Sequence, residues 1–94
     1  MNEQTMSDAK TIKLPCHGIV VELTGDGGGS ISSDLHAPIL GIDDFDDREM
    51  REYNAAIDAL ESIILAHACA GINIESPAYI EGIETAVQAI VNHY

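Results

Sequence analysis

Basic residues are scarce in this chain. Lys and Arg occur 4 times in 94 residues, against 16 Asp and Glu, and the formal net charge is −12 at pH 7. Recognition of nucleic-acid phosphates requires a patch of Lys and Arg, whereas Lys10 and Lys13 lie near the N-terminus and Arg48 and Arg51 stand among acids. A strong negative field also repels anionic membranes. The composition therefore argues against direct binding to DNA, RNA or a membrane surface.

Cysteines and long apolar runs are few as well. Cys16 and Cys69 fit neither a disulfide-dense secreted scaffold nor a Cys-x-x-Cys metal site, although a single bridge between them stays open. The first 11 residues contain no apolar signal-peptide core, and the longest apolar run, 63–70, includes His67 and is too short to span a bilayer. We therefore expect a soluble, cytoplasmic protein.

The hydrophobic content, 46% of the residues, is that of a folded protein. A chain of 94 residues forms one small domain with a modest core. Dimerisation would be an ordinary way of burying more surface. The acids must then lie on the outside of this domain.

The N-terminal half has the composition of a small β structure. Residues 1–10 are polar and predict a flexible tail. Residues 11–24 are rich in β-branched side chains but contain Pro15 and Gly18, which indicates either one bent strand or two short strands. The glycine-rich stretch 25–29 favours a hairpin turn over a phosphate-binding loop, because no Gly-Lys-Ser/Thr follows it. We predict strands at about 12–23 and 30–35.

The C-terminal half predicts two amphipathic helices, at about 47–70 and 77–93. In the first, an apolar stripe at helical spacing runs along one side, with Asp58 and Glu61 facing away. A second strip of small side chains, Ala55, Ala59 and Ala66, would allow close approach of the β-hairpin. Between the helices, Gly71 suits a helix C-terminus, whereas Ser76 and Pro77 suit positions N-cap and N1.

These patterns predict an α+β fold: an N-terminal β-hairpin or small antiparallel sheet packed on a C-terminal antiparallel two-helix hairpin. The single domain would span residues 11–94. An antiparallel arrangement of the helices follows from the short junction between them.

The region 43–52 carries the densest group of carboxylates, six in ten positions: Asp43, Asp44, Asp46, Asp47, Glu49 and Glu52. Oxygen ligands at this density suit Ca²⁺, but the stretch lacks the ligand register of an EF-hand loop. Helix capping with solvated charge is one interpretation and a protein-binding acidic patch is another. From Glu52 onward no Lys or Arg compensates the acids.

Five His and Cys residues could in principle include metal ligands or a Cys-His nucleophilic pair. These are Cys16, His17, His36, His67 and Cys69. Their spacings are uninformative. His67 falls on the apolar stripe, so we expect a buried, hydrogen-bonded histidine, and we expect the cysteines to act as small core residues. No catalytic set emerges, and we predict neither an enzyme nor a cofactor.

The overall acidity exceeds what solubility requires, which is a net charge of magnitude about 2 to 8 for a small domain. Duplex DNA carries one negative charge per roughly 1.7 Å of its axis. A helical scaffold with carboxylates along its outer faces could imitate that spacing toward a basic groove. The charge pattern thus favours a basic protein surface as the partner.

Three stretches of the chain resemble a family of small acidic proteins from bacteriophages, plasmids and other mobile elements. They are 53–72 (YNAAIDALESIILAHACAGI), 75–86 (ESPAYIEGIETA) and 14–23 (LPCHGIVVEL), so that the resemblance covers roughly residues 12–94. Small acidic proteins in that setting often resemble anti-CRISPR or anti-restriction inhibitors. The resemblance implies a protein that occupies the nucleic-acid-binding surface of a defence complex.

We therefore expect a non-enzymatic inhibitor that binds a basic surface of a CRISPR effector, or of another nucleic-acid-processing protein, in the bacterial host cell. No inhibitor motif transfers residue by residue, so the partner-binding residues are chosen by their charge: Asp43, Asp44, Asp46, Asp47, Glu49, Glu52, Asp58 and Glu61. Two alternatives stay open. One is a divalent-metal-binding regulator that uses 43–47, and the other is an oligomeric module whose apolar stripes meet across a subunit interface.

Overall fold

The computed structural model describes residues 10–40 and 46–93. Six elements follow one another along the chain: β1 (Lys10–Lys13), β2 (Val20–Leu23), β3 (Gly29–Ser32), α1 (Ala37–Leu40), α2 (Asp47–Cys69) and α3 (Pro77–His93). A three-stranded antiparallel sheet thus precedes two long helices, and the predicted α+β fold is confirmed. Residues 11–24, which were compatible with one bent strand or two short ones, form the two strands β1 and β2.

The sheet has the order β1-β2-β3 and buries one face. Ile12 pairs with Val21, and Val21 pairs with Ile31, so that an apolar row crosses the three strands. The neighbouring row, Thr11, Glu22 and Ser30, is polar and exposed. This alternation of apolar and polar positions is what a sheet covered on a single face requires.

Two tight connections shape the sheet. Between β1 and β2 the chain passes through positive φ at His17 and Gly18, and a Cβ atom at Gly18 would lie 2.2 Å from a carboxylate oxygen of Asp34. Between β2 and β3, the Asp26 carboxylate accepts hydrogen bonds from the Thr24 hydroxyl and the Gly28 amide. These two bonds lower the pKa of Asp26. The glycine-rich stretch is therefore the predicted hairpin turn.

Helix α2 covers the buried face of the sheet. Its buried side chains recur every three or four residues, as expected for one face of a helix: Tyr53, Ile57, Glu61, Ile64 and Ala68. The core also contains Ile12 and Val21 from the sheet, Ile19 from the connection between β1 and β2, and Ile74, Ile83 and Val87 from the second half. The hydrophobic core thus lies between the sheet and both long helices.

The ends of the helices follow the expected capping motifs. The Ile72 amide donates to the His67 carbonyl at 3.0 Å and the Gly71 amide to the Ala68 carbonyl at 3.1 Å, which is the bond pattern of a Schellman motif with Gly71 at φ 86°. The Ile72 side chain is 46% exposed. Ser76 caps α3 by accepting from the Tyr79 amide at 3.2 Å.

The segment 33–37, which runs from the end of β3 to the first residue of α1, is held on α2 by side-chain hydrogen bonds. The Tyr53 hydroxyl donates to the Leu35 carbonyl at 2.9 Å, and the Ala37 amide donates to Asn54 Oδ1 at 2.9 Å. We call residues 33–37 the connector. These bonds fix its position on the helix although it contains little regular structure.

Candidate functional site

The carboxylates at the start of α2, Asp46, Asp47, Glu49 and Glu52, form a surface that we call the acidic end. Asp46 is the N-cap: its Oδ1 accepts from the Glu49 amide at 2.7 Å, while Glu49 Oε1 accepts from the Asp46 amide at 3.4 Å. This reciprocal pair is a capping box. Both carboxylates therefore have a structural role, as the helix-capping interpretation of this stretch expected.

The acidic end also lines a shallow concavity of about 350 Å³, with Asp46, Arg48, Glu49, Glu52 and His93 around it. The C-terminus of α3 reaches the start of α2 here because the two helices are antiparallel. Arg48 Nε donates to Glu52 Oε2 at 3.1 Å, so that one of the two arginines in this region is compensated within its own helix. Carboxylates thus dominate the concavity, and an Arg or Lys side chain of a partner would find acceptors in it.

The other predicted partner-binding residues differ in whether the structure describes them and in what they contact. Asp43 and Asp44 lie outside the described residues, and so does most of the 43–47 segment proposed as a metal-binding alternative. Asp58 is exposed, as predicted, but its Oδ1 lies 2.7 Å from His36 Nε2 of the connector. Asp58 is thus already engaged with a side chain of its own molecule.

Glu61 does not face solvent, and its predicted outward position is wrong. It is 7% exposed and lies on the buried stripe between Ile57 and Ile64, where the Ser33 hydroxyl donates to its Oε2 at 2.5 Å. The sequence contained a signal for this, because Glu61 follows Ile57 by four residues and precedes Ile64 by three. The Ser33 hydroxyl supplies part of the solvation that the buried carboxylate loses.

The small-residue strip of α2, Ala55, Ala59 and Ala66, is exposed and lies on the side of α2 opposite the core. The β-hairpin reaches only one end of this strip, where Ala66 lines a cavity together with the glycines at 27–29. With Glu61 buried, Asp58 is the one exposed acid of α2 between Tyr53 and Cys69. The carboxylates of α2 therefore do not form a continuous row, and the negative charge of this helix is concentrated at the acidic end.

An apolar groove of about 290 Å³ separates α2 from α3. Its lining includes Leu60, Ile63, Ile83 and the pair His67 and Tyr79, whose Nδ1 and hydroxyl oxygen are 2.5 Å apart. His67 is hydrogen-bonded, as expected, but only half-buried. Ile63 is 52% exposed, although its position on the predicted apolar stripe indicated burial. The groove leaves part of that stripe open to solvent.

The two cysteines differ in their surroundings. Cys16 is half-buried against the core, close to the role expected, and burial together with the negative charge of Glu84 raises the pKa of its thiol. Cys69 is exposed, so its predicted role as a small core residue is wrong. Both thiols are free, and the bridge that the sequence left open is not formed.

One cluster of potential ligand atoms was not predicted from the sequence. His36, Asp58 and Glu61 bring one ligand atom each to within 4.8 Å of one another, and no other group of this kind occurs among residues 10–40 and 46–93. The spacing of Asp58 and Glu61 places them one helical turn apart. His36, however, is 22 residues away from Asp58, and only the folding of the connector onto α2 joins it to the pair.

No family model, curated protein or solved structure matches this chain. Among the described residues, no helix has the length and apolar character needed to cross a membrane. The function is therefore argued from the residues of the chain itself.

Proposed function

We propose that this protein is a non-enzymatic inhibitor that binds a basic, nucleic-acid-binding surface of another protein through its acidic end. The observation that supports the proposal is the convergence of three carboxylates, Asp46, Glu49 and Glu52, on one surface concavity. A groove built for phosphates presents Lys and Arg side chains, and these donors match carboxylate acceptors in the same way.

The carboxylates of the acidic end keep acceptor capacity after the capping bonds are made. Asp46, Glu49 and Glu52 each use one oxygen in the hydrogen bonds described above. Within the described parts of the chain, the second oxygen of each accepts no hydrogen bond. An ionised carboxylate offers about four acceptor sites. Donors from a partner can therefore bind without breaking the helix cap.

The net charge of the whole molecule also favours a basic partner. The net charge is −12, and no Lys or Arg occurs from Glu52 to the end of the chain. Such a field accelerates encounter with basic surfaces and repels free nucleic acid. Association should therefore be fast at low salt and weaken as salt is added.

In its specific form, the proposal is that of an anti-CRISPR type of inhibitor, encoded by a mobile element and acting in the cytoplasm of the bacterial host cell. This form rests on the sequence resemblance. The binding surface comprises Asp43, Asp44 and the acidic end. It omits Glu61, which is buried, and Asp58, which contacts His36.

The test is a triple variant, Asp46→Asn, Glu49→Gln and Glu52→Gln. Asn and Gln retain the capping acceptors, so the variant removes three charges while leaving the helix start intact. Exposed ion pairs contribute about 0.2–1 kcal/mol each. Three of them predict an affinity for a purified CRISPR effector that is roughly 3- to 150-fold lower.

The matched control is Glu75→Gln, Glu81→Gln and Glu84→Gln, which removes the same number of charges from exposed positions on the other half of the hairpin. Binding of each variant and its competition with DNA are measured at physiological salt. Equal losses in both triple variants would mean that net charge alone acts. Unchanged binding of the acidic-end variant would refute the proposed surface.

The oligomeric alternative has one observation in its favour, the apolar groove with Ile63 half-exposed beside it. If two copies meet at this groove, Ile63→Glu converts a dimer to a monomer. Ile72→Glu, an exposed position outside the groove lining, leaves the dimer intact. Sedimentation of the wild-type protein as a monomer at all concentrations would dismiss this alternative.

A further inference from the structure

The cluster of His36, Asp58 and Glu61 lies where the connector meets α2, on a part of the surface not used by the acidic end. His36 Nε2 is 2.7 Å from Asp58 Oδ1, and His36 Nδ1 is 4.0 Å from Glu61 Oε2. These two contacts use different nitrogens of the imidazole, but one ligand atom from each of the three residues can be chosen so that all three atoms lie within 4.8 Å of one another. This ligand set is of the type that binds divalent metal ions.

The burial of Glu61 is a second and independent observation. Its side chain is 10% exposed, and no Lys or Arg among the described residues forms an ion pair with it, the His36 imidazole being the nearest basic group at 4.0 Å. A buried carboxylate without a fixed positive charge is costly in free energy. The Ser33 hydroxyl orients Oε2 by donating to it. A hydrogen bond of this kind to a ligand oxygen is the usual outer-shell support of a metal site.

We propose that His36, Asp58 and Glu61 bind one Zn²⁺ ion, with Ser33 as the outer-shell residue that orients Glu61. A mixed nitrogen and oxygen set favours Zn²⁺ over Mg²⁺ and Ca²⁺, which prefer oxygen ligands alone. Three protein ligands leave one position of a tetrahedral site for water.

The fit requires a small adjustment. Zinc–ligand distances of about 2.0–2.2 Å place neighbouring ligand atoms of a tetrahedral site roughly 3.4 Å apart. The hydrogen bond between His36 and Asp58 would therefore open by about 0.7 Å, whereas Glu61 would move closer to the imidazole. Asp58 is exposed and can turn about its side-chain torsions.

The consequence of binding is structural. Asp58 and Glu61 belong to α2 and His36 belongs to the connector, so the ion cross-links two segments that are distant in the sequence. The unfolded chain lacks this arrangement, and binding to the folded state alone raises stability. The site is also distinct from the 43–47 segment considered above, because it needs an imidazole.

The test is zinc titration of the full-length protein by calorimetry, with the cysteines replaced by Cys16→Ser and Cys69→Ser to remove competing thiolates. We expect one ion per chain and a rise in Tm with added Zn²⁺. His36→Ala and Asp58→Asn should each lower the affinity at least 10-fold and abolish the shift in Tm. Melting in EDTA shows whether these variants are folded.

Two controls match these variants in residue type. His17→Asn replaces an exposed histidine by a residue that tolerates the positive φ found there, and Glu81→Gln replaces an exposed acid of α3. Both should bind Zn²⁺ as the parent does. Absence of zinc binding at millimolar concentration, or binding of unchanged affinity in His36→Ala, would overturn the proposal. Equal affinity for Ca²⁺ would do the same, since it indicates an acidic surface without imidazole ligation.

Discussion

Tyr53→Phe tests how the connector is held on α2. Tyr53 is fully buried, and its hydroxyl donates to the carbonyl of Leu35, itself a core residue, at 2.9 Å. Phe retains the aromatic ring and its packing while removing the hydroxyl. The variant therefore leaves a buried backbone carbonyl without this donor.

The expected loss of stability follows from that carbonyl. A neutral hydrogen bond contributes about 0.5–1.5 kcal/mol net, and a buried group left unsatisfied costs about 1–3 kcal/mol. We expect Tyr53→Phe to lower the free energy of unfolding by about 1–2 kcal/mol. For a domain of this size the corresponding decrease in Tm is roughly 5–10 °C.

The measurement is urea unfolding followed by circular dichroism, with Tyr79→Phe as the matched control. Tyr79 is half-buried and its hydroxyl contacts His67 at the edge of an open groove, so water can replace the lost contact. Its cost should stay below about 1 kcal/mol. The free energy of unfolding of Tyr53→Phe could instead lie within about 0.3 kcal/mol of the wild-type value, which is of the order of the error of the method. In that case the connector is not held by this bond.

Two further predictions concern the helix cap and the thiols. Asp46→Ala should lower the free energy of unfolding by about 1 kcal/mol. Asp46→Asn should lower it less, because Asn keeps the acceptor for the Glu49 amide. Thermal melts of both variants measure the difference, and equal losses would count against the capping box. With Cys69→Ser as background, Glu84→Gln should speed alkylation of Cys16 at pH 8, because removing the negative charge lowers the pKa of the Cys16 thiol. An unchanged alkylation rate, with stability also unchanged, would mean that burial alone governs this thiol.

The sequence by itself determined the two long helices and their ends. The strand predicted at about 30–35 is shorter, Gly29–Ser32, Lys10 of the predicted tail belongs to β1, and α1 was not predicted. Period-two and period-3.6 patterns depend on neighbours along the chain, and so do caps such as Ser76 and the Schellman turn at Gly71. Helix α2 begins at the predicted residue and ends one residue early, and α3 has the predicted bounds. Local rules sufficed because these features involve residues at most six positions apart.

Tertiary structure decided which faces are covered. Periodicity identified a stripe on α2, but its neighbours cover it unequally. The sheet and the connector bury Ile57, Glu61 and Ile64, whereas α3 leaves Ile63 half-exposed. Helical phase alone does not say how wide the covered sector is. Hence the Glu61 carboxylate is buried, whereas the Ile63 side chain is half-exposed.

The two candidate sites differ in the same way, because one could be predicted from the sequence and the other could not. The acidic end is a run of neighbouring residues, so its place at a helix start followed from the sequence. The cluster of His36, Asp58 and Glu61 depends on the connector crossing α2, where bonds such as that from Tyr53 to Leu35 hold it. Contacts between residues 22 to 28 positions apart leave no periodic trace in a single sequence, and only the folded chain brings them together.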